Sequence, residues 1–129
     1  MLIPADRRYS TNHQWARAEN DGSIAVGITD FAQEALGDVV FVERPATGRI
    51  LRMGEQCGVV ESVKSASDIY APVSGEVIET NAVLDTAAEL INKSAYETWI
   101  FKVRPANAAE LGSLLDADAY QTLIGIPAG

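Results

Sequence analysis

Along the chain, short apolar runs alternate with clusters of turn-forming residues. The runs "SIAVGI" (23–28), "DVVFVE" (38–43), "CGVVESV" (57–63), "GEVIET" (75–80) and "TWIFKV" (98–103) are rich in β-branched and aromatic residues, and Asp21-Gly22, Thr47-Gly48, Met53-Gly54 and Ser74-Gly75 punctuate them. Strands this short at close, regular spacing predict an all-β sandwich or barrel. One helix interrupts the series. In "TDFAQEALG", Thr29 and Asp30 are candidate caps, Gln33 follows Asp30 by three positions, and Gly37 suits the left-handed residue that ends a helix. A second helical region closes the chain: Pro105 ends the last strand, Asn107 can cap "AAELGSLL" and Asp116 can cap "DAYQTLI". Leu111, Leu114 and Leu115 fall on one helical face, so this tail is expected to pack onto the β body.

A short echo, "VVES" at 59–62 against "VIET" at 77–80, fits two related halves about a pseudo-twofold axis. With 129 residues, 47% of them hydrophobic, the chain suits one domain with a proper core. The expected layout is a single domain over 1–129, with a β core at about 9–105 and a helical segment at 106–124. Cys57 is the only cysteine, which excludes an intramolecular disulfide. In its apolar setting it reads as a small buried hydrophobe of a reducing compartment.

Ten Lys and Arg against eighteen Asp and Glu give a net charge of −8, which repels a nucleic-acid backbone and an anionic membrane alike. "MLIPADRRYS" lacks the apolar stretch of a secretory signal, and nowhere do 18 apolar residues run together. The expectation is a cytoplasmic protein, or a mitochondrial matrix protein if a transit peptide has been removed. His13, the one histidine, has no Cys, His or clustered acid at ligand spacing, so no metal role is expected. Trp15 and Trp99 read as core or rim packing rather than cofactor contacts.

The chemistry concentrates at Lys64, one of only three lysines, with Lys93 and Lys102. The short residues "KSAS" suit a tight connection between a strand ending near Val63 and one starting near Asp68, which would put Lys64 in water at a hairpin tip. A lysine amine in water is protonated and a poor nucleophile by itself, but it is a good attachment point for an enzyme that acylates it. Glu61 and Asp68 make the tip acidic, and Pro72 and Gly75 impose a turn on "APVSGEV".

"ESVKSASDIYAPVSGEVIETN" resembles the lipoylation segment of glycine cleavage system H-proteins, and "GITDFAQEALGDVVFVERPATG" resembles the segment before it. "HQWARAENDGSIAVGIT", "LINKSAYETWIFKV" and "LLDADAYQTLI" extend the similarity from about Tyr9 to Ile124. The resemblance implies a mainly β fold, the barrel-sandwich hybrid of lipoyl and biotinyl domains, with short flanking helices near 29–36 and 107–124. It implies a non-catalytic carrier whose Lys64 holds lipoic acid in amide linkage, on an arm reaching roughly 14 Å. Such a carrier takes the aminomethyl group of glycine from glycine decarboxylase to aminomethyltransferase and is reoxidised by dihydrolipoyl dehydrogenase; a lipoate ligase or transferase loads it.

By the same resemblance, Glu61 and Gly75 match positions presented to the lipoylating enzyme. Asn12, His13, Gln14 and Asp68 match the pocket of the loaded arm. Two departures stand out. The family usually shows glutamate at the place of Gln14, which can accept a hydrogen bond but brings no negative charge to a cationic cargo. "KSAYETW" has Ala95 where proline is common and a shortened path to Trp99, so a remodelled loop near the arm is expected. The lysine segment alone leaves open a lipoyl-group relay protein, an unmodified interaction module, or a biotin carrier domain, although the last normally flanks its lysine with methionines where this chain has Val63 and Ser65.

Overall fold

Two antiparallel sheets carry the expected strands. The computed structural model describes residues 3–125, so positions 1–2 and 126–129 of the expected 1–129 span lie outside the described residues. In chain order the elements are β1 (Arg8–Tyr9), β2 (Gln14–Ala18), β3 (Ile24–Ile28), α1 (Asp30–Leu36), β4 (Val39–Glu43), β5 (Ile50–Leu51), β6 (Gln56–Ser62), β7 (Ala66–Tyr70) and β8 (Gly75–Thr80). A 3-10 turn (Ala82–Asp85), α2 (Leu90–Lys93), β9 (Phe101–Pro105), α3 (Ala109–Gly112) and α4 (Ala117–Leu123) follow. One sheet has the order β1-β2-β3-β9-β8-β5 and the other β4-β6-β7. The two echoing segments lie in opposite sheets, "VVES" on β6 and "VIET" on β8. Among the described residues no helix is long and apolar enough to cross a membrane.

The main core lies between the sheets. Val26, Ile28, Val77, Phe101 and Val103 from the larger sheet pack with Val42, Val60 and Ile69 from the smaller one. All five residues of β3 are buried, because its second face is also covered. There Ala25 joins Tyr9, Trp15 and Tyr120 in a separate cluster, with Leu115, Ala117 and Ile124 of the tail against it. Trp15 lies flat on Gly27: a Cβ added there would come within 2.5 Å of the indole, so only glycine fits beneath the ring. The indole N–H donates to the Ala95 carbonyl (3.1 Å), which places Trp15 in the core as expected.

Helix α1 forms as its sequence dictates. Thr29 Oγ1 accepts from the Ala32 N–H (3.2 Å), and Gly37 ends the helix at φ 82, donating its N–H to the Gln33 carbonyl (3.0 Å). The tail departs from the expected single helix over "AAELGSLL". Asn107 caps a four-residue turn, α3, through the Ala109 N–H (3.1 Å). The chain then straightens so that Leu115 and Tyr9 exchange both backbone hydrogen bonds (2.8 Å each). Asp116 restarts helix by capping α4. The last strand also begins later than expected, at Phe101, because Thr98 Oγ1 donates to the Ser94 carbonyl (2.8 Å) and holds that stretch as a loop closing α2.

Candidate functional site

Lys64 stands at the tip of the β6–β7 hairpin, where Glu61 pairs with Ala66. The tip is cross-braced. The Ser62 N–H donates to the Ser65 carbonyl (2.7 Å), Ser62 Oγ donates to the same oxygen (3.0 Å), and the Ser65 N–H donates back to Ser62 Oγ (3.1 Å). The Val63 N–H donates to the Asp38 carbonyl (3.0 Å), which ties the tip to the junction between α1 and β4. The lysine stem leans over Gly37, whose missing Cβ would sit 3.6 Å from Lys64 Cε. The side chain is exposed, and among the described residues its Nζ enters no ion pair and no hydrogen bond.

Beside the tip lies a groove of about 360 Å³ between α1, the turn before β2 and the start of β7. Phe31, Ala32, Ala35 and Leu36 form its helical wall, Ser65, Ala66 and Ser67 the hairpin wall, and Asn12 and His13 its end. His13 adopts φ 68, a left-handed conformation that few side chains other than glycine take. Both of its backbone groups are bonded: its N–H donates to the Ser10 carbonyl (3.1 Å) and its carbonyl accepts from the Thr29 N–H (3.0 Å). Its ring sits 4.8 Å from Phe31 and 5.8 Å from Tyr120, with Nδ1 2.8 Å from the Tyr120 hydroxyl. Burial lowers the His13 pKa below its ordinary value, which favours the neutral ring.

The structure brings Asn12 and His13 together at the groove; Gln14 joins Asn12 at a second cavity, and Asp68 lines neither. Gln14 is buried on β2, its side-chain oxygen accepting from Ser10 Oγ (2.6 Å) and its amide donating to the Asn12 carbonyl (3.0 Å). It lines a different cavity of about 280 Å³, with Met53, Pro72 and Leu114. Asp68 sits opposite Val59, in turn opposite Glu43, and directly opposed residues of an antiparallel sheet share a face. That row points outward, as does the row Phe41, Glu61 and Ala66 beside it; Val42, Val60 and Ser67 form the inward row between them. Asp68 therefore faces outward with Glu43 and Glu61, and among the described residues its carboxylate accepts one long hydrogen bond, from the Tyr70 hydroxyl (3.5 Å).

Gly75 opens β8 in the opposite sheet, where an added Cβ would run into the Arg104 backbone, its carbonyl carbon 3.0 Å away. The loop at 93–99 lines neither cavity. Trp15 and Arg7 hold it against β2, the latter donating to the Tyr96 carbonyl (2.7 Å). Cys57 is buried, and burial pushes its thiol up to about 12, so it is inert at neutral pH.

Comparison with known proteins decides the family. The family model described as glycine cleavage H-protein matches residues 7–125. The chain belongs to the glycine cleavage H-protein family. Among curated H-proteins, that of Thiobacillus denitrificans is 56% identical over 96% of both chains. H protein 2 of Pseudomonas putida is 59% identical over 95% of this chain and 97% of its own. The crystal structure of the glycine cleavage system H protein from Mycobacterium marinum superposes with a TM-score of 0.85 at 42% identity, covering 95% of this chain and 99% of that one. In this H-protein the groove wall on α1 was missed from sequence. Its signal was available: Phe31, Ala32, Ala35 and Leu36 recur at helical spacing, a stripe that reads first as core.

Proposed function

We propose that this H-protein is the lipoyl-bearing carrier of the glycine cleavage system, with lipoic acid in amide linkage on Lys64 Nζ. The observation that carries the reading is an exposed amine with no partner among the described residues, on a braced hairpin tip at the mouth of a groove. The residues present fit the group: acylation needs a free amine, and a groove lined by Phe31, Ala35, Leu36 and small hydroxyl residues suits a flexible, largely apolar chain. Bound there, the lipoyl group would supply a disulfide able to take up a carbon fragment and two electrons.

The protein's part is positional. Backbone bonds at Ser62, Ser65 and Val63 hold the attachment point still, so the motion of the arm starts from a fixed pivot. The outward rows of the smaller sheet, with Phe41, Glu43, Glu61 and Asp68, flank that pivot and offer the face that a lipoate ligase and the three system enzymes read. Those enzymes are glycine decarboxylase, aminomethyltransferase and dihydrolipoyl dehydrogenase, and the reactive chemistry belongs to them. Residues 9–105 and the 106–124 segment act as one unit, since Leu111 and Leu114 pack on the main core.

Intact mass before and after incubation with lipoate ligase, lipoate and ATP tests the reading. One lipoyl mass gained by the wild type and none by Lys64→Ala is expected. No gain, or a gain that survives the substitution, overturns it. A glycine–bicarbonate exchange assay with the loaded protein and glycine decarboxylase then separates glycine cleavage from other lipoyl tasks. Streptavidin blotting excludes the biotin alternative if negative.

A further inference from the structure

We propose that Tyr120, on the C-terminal helix, is a positioning residue for the groove: with Thr29 it fixes His13 in the tautomer that carries its proton on Nε2 and offers that N–H as a donor to the acylated Lys64 arm. The statement about the arm rests on the carrier reading above; the statement about the tautomer does not.

The protons decide it. The Tyr120 hydroxyl lies 2.8 Å from His13 Nδ1 and 2.7 Å from Thr29 Oγ1. Thr29 Oγ1 already accepts from the Ala32 N–H at the start of α1 (3.2 Å), and Thr29 is completely buried. Its own proton therefore needs an acceptor inside the protein, and the Tyr120 oxygen is the one within reach among the described residues. Thr29 donates to Tyr120, so the tyrosine proton is left for His13 Nδ1. A neutral imidazole that accepts at Nδ1 carries its proton at Nε2. The reverse order would have Thr29 accept twice and leave a buried hydroxyl proton without a partner.

Tyr120 is well suited to this part. It is fully buried and stacked on Tyr9 (4.7 Å between centroids, 14°), so its ring cannot swing away. Burial pushes its hydroxyl up to about 12, which keeps it a donor at neutral pH. His13 is equally confined, by its left-handed backbone and by Phe31. Among the described residues nothing bonds Nε2, while His13 lines the groove. A fixed N–H at the end of a groove whose helical wall is apolar matches one chemistry on an acyl-lysine arm, the carbonyl oxygen of its amide. A segment 107 residues away in sequence thereby sets the polarity of the groove.

The chain has one histidine, so its imidazole nitrogens are read without assignment ambiguity. Long-range ¹H–¹⁵N spectra of the uniformly labelled, unlipoylated protein at pH 7 should show Nε2 protonated and Nδ1 bare, in roughly tenfold excess over the other tautomer, as one hydrogen bond of ordinary net strength would give. Tyr120→Phe should bring the two tautomers toward equal populations. Thr29→Ser, which keeps the hydroxyl, should retain the wild-type pattern. Lipoylation of the wild type should shift the Nε2 resonance while leaving Nδ1 bare. A wild-type spectrum with the proton on Nδ1 overturns the proposal, and does so even if Tyr120→Phe fails to fold. A tautomer ratio unchanged in folded Tyr120→Phe also overturns it. An Nε2 shift indifferent to lipoylation, in protein whose loading is confirmed by mass, overturns the donor role alone.

Discussion

Gly75 and Glu61 look alike in a motif but differ in what surrounds them. An added Cβ at Gly75 meets the Arg104 backbone, which cannot yield without parting β8 from β9. Gly75→Ala is therefore expected to cost about 1–3 kcal/mol, as overpacking does, and to lower the urea midpoint; any loss of lipoylation should follow the unfolded fraction. Glu61 is exposed on the outward face, so Glu61→Ala should change stability by less than about 0.5 kcal/mol while slowing the ligase. An equal stability loss in both variants, by urea titration, would contradict the assignment. His13 gives a pH signature. Its folded pKa lies below the ordinary 6.5, so the unfolded chain takes up the proton first as pH falls, and folding then loses stability. The contribution is whole above about 6.5 and declines below it. The slope of urea midpoint against pH just under that value should flatten in His13→Gln.

Between strands and helices, legibility followed burial pattern. Runs with β-branched residues between glycine turns were readable as strands, and α1 was readable from Thr29 and Gly37. β2 was not, because Gln14, Trp15 and Ala16 are all buried and no alternation marks the strand. β5, the 3-10 turn and α2 are too short for any period, and side chains rather than propensity hold their surroundings. Lys64 and the ends of its hairpin were legible because a turn and a lone cation are local features. Tyr120 was not, since its partners Thr29 and His13 are distant in the chain. Asn92 shows such long-range bracing most plainly. Its amide donates to Gln33 Oε1 (2.9 Å) and to the Gly37 carbonyl (2.8 Å), and its oxygen accepts from the Val39 N–H (2.8 Å). One side chain thus pins the end of α1 to the start of β4, the junction that anchors the hairpin tip. At about 1 kcal/mol net each, Asn92→Ala should cost about 2–3 kcal/mol. Amide exchange at Val39 should accelerate correspondingly; unchanged exchange there would show that the junction is held by other means.

At the scale of the whole molecule, charge and exposed apolar surface converge on the same end. The chain carries a net charge of −8, and the proposed acylation of Lys64 would remove a positive charge from it. Glu43, Glu61 and Asp68 face outward around the hairpin, with Phe41 52%, Val40 58% and Val63 74% exposed among them. A carrier must find several enzymes in turn and leave each again, which favours fast encounter over tight holding. Acidic residues serve the first need by steering, because long-range attraction acts on the association rate. The apolar residues serve the second by setting how long contact lasts once water is excluded. The two contributions separate in salt, since screening shortens from about 10 Å at 0.1 M to about 3 Å at 1 M while apolar burial is not screened. Stopped-flow measurement with aminomethyltransferase should therefore show association slowing several-fold between these salt concentrations. Replacing Glu61 and Asp68 by lysine should reproduce that slowing at low salt. Phe41→Ser should instead speed dissociation and leave the salt dependence of association intact. An association rate flat in salt would mean that the acidic face around Lys64 does not meet the partner.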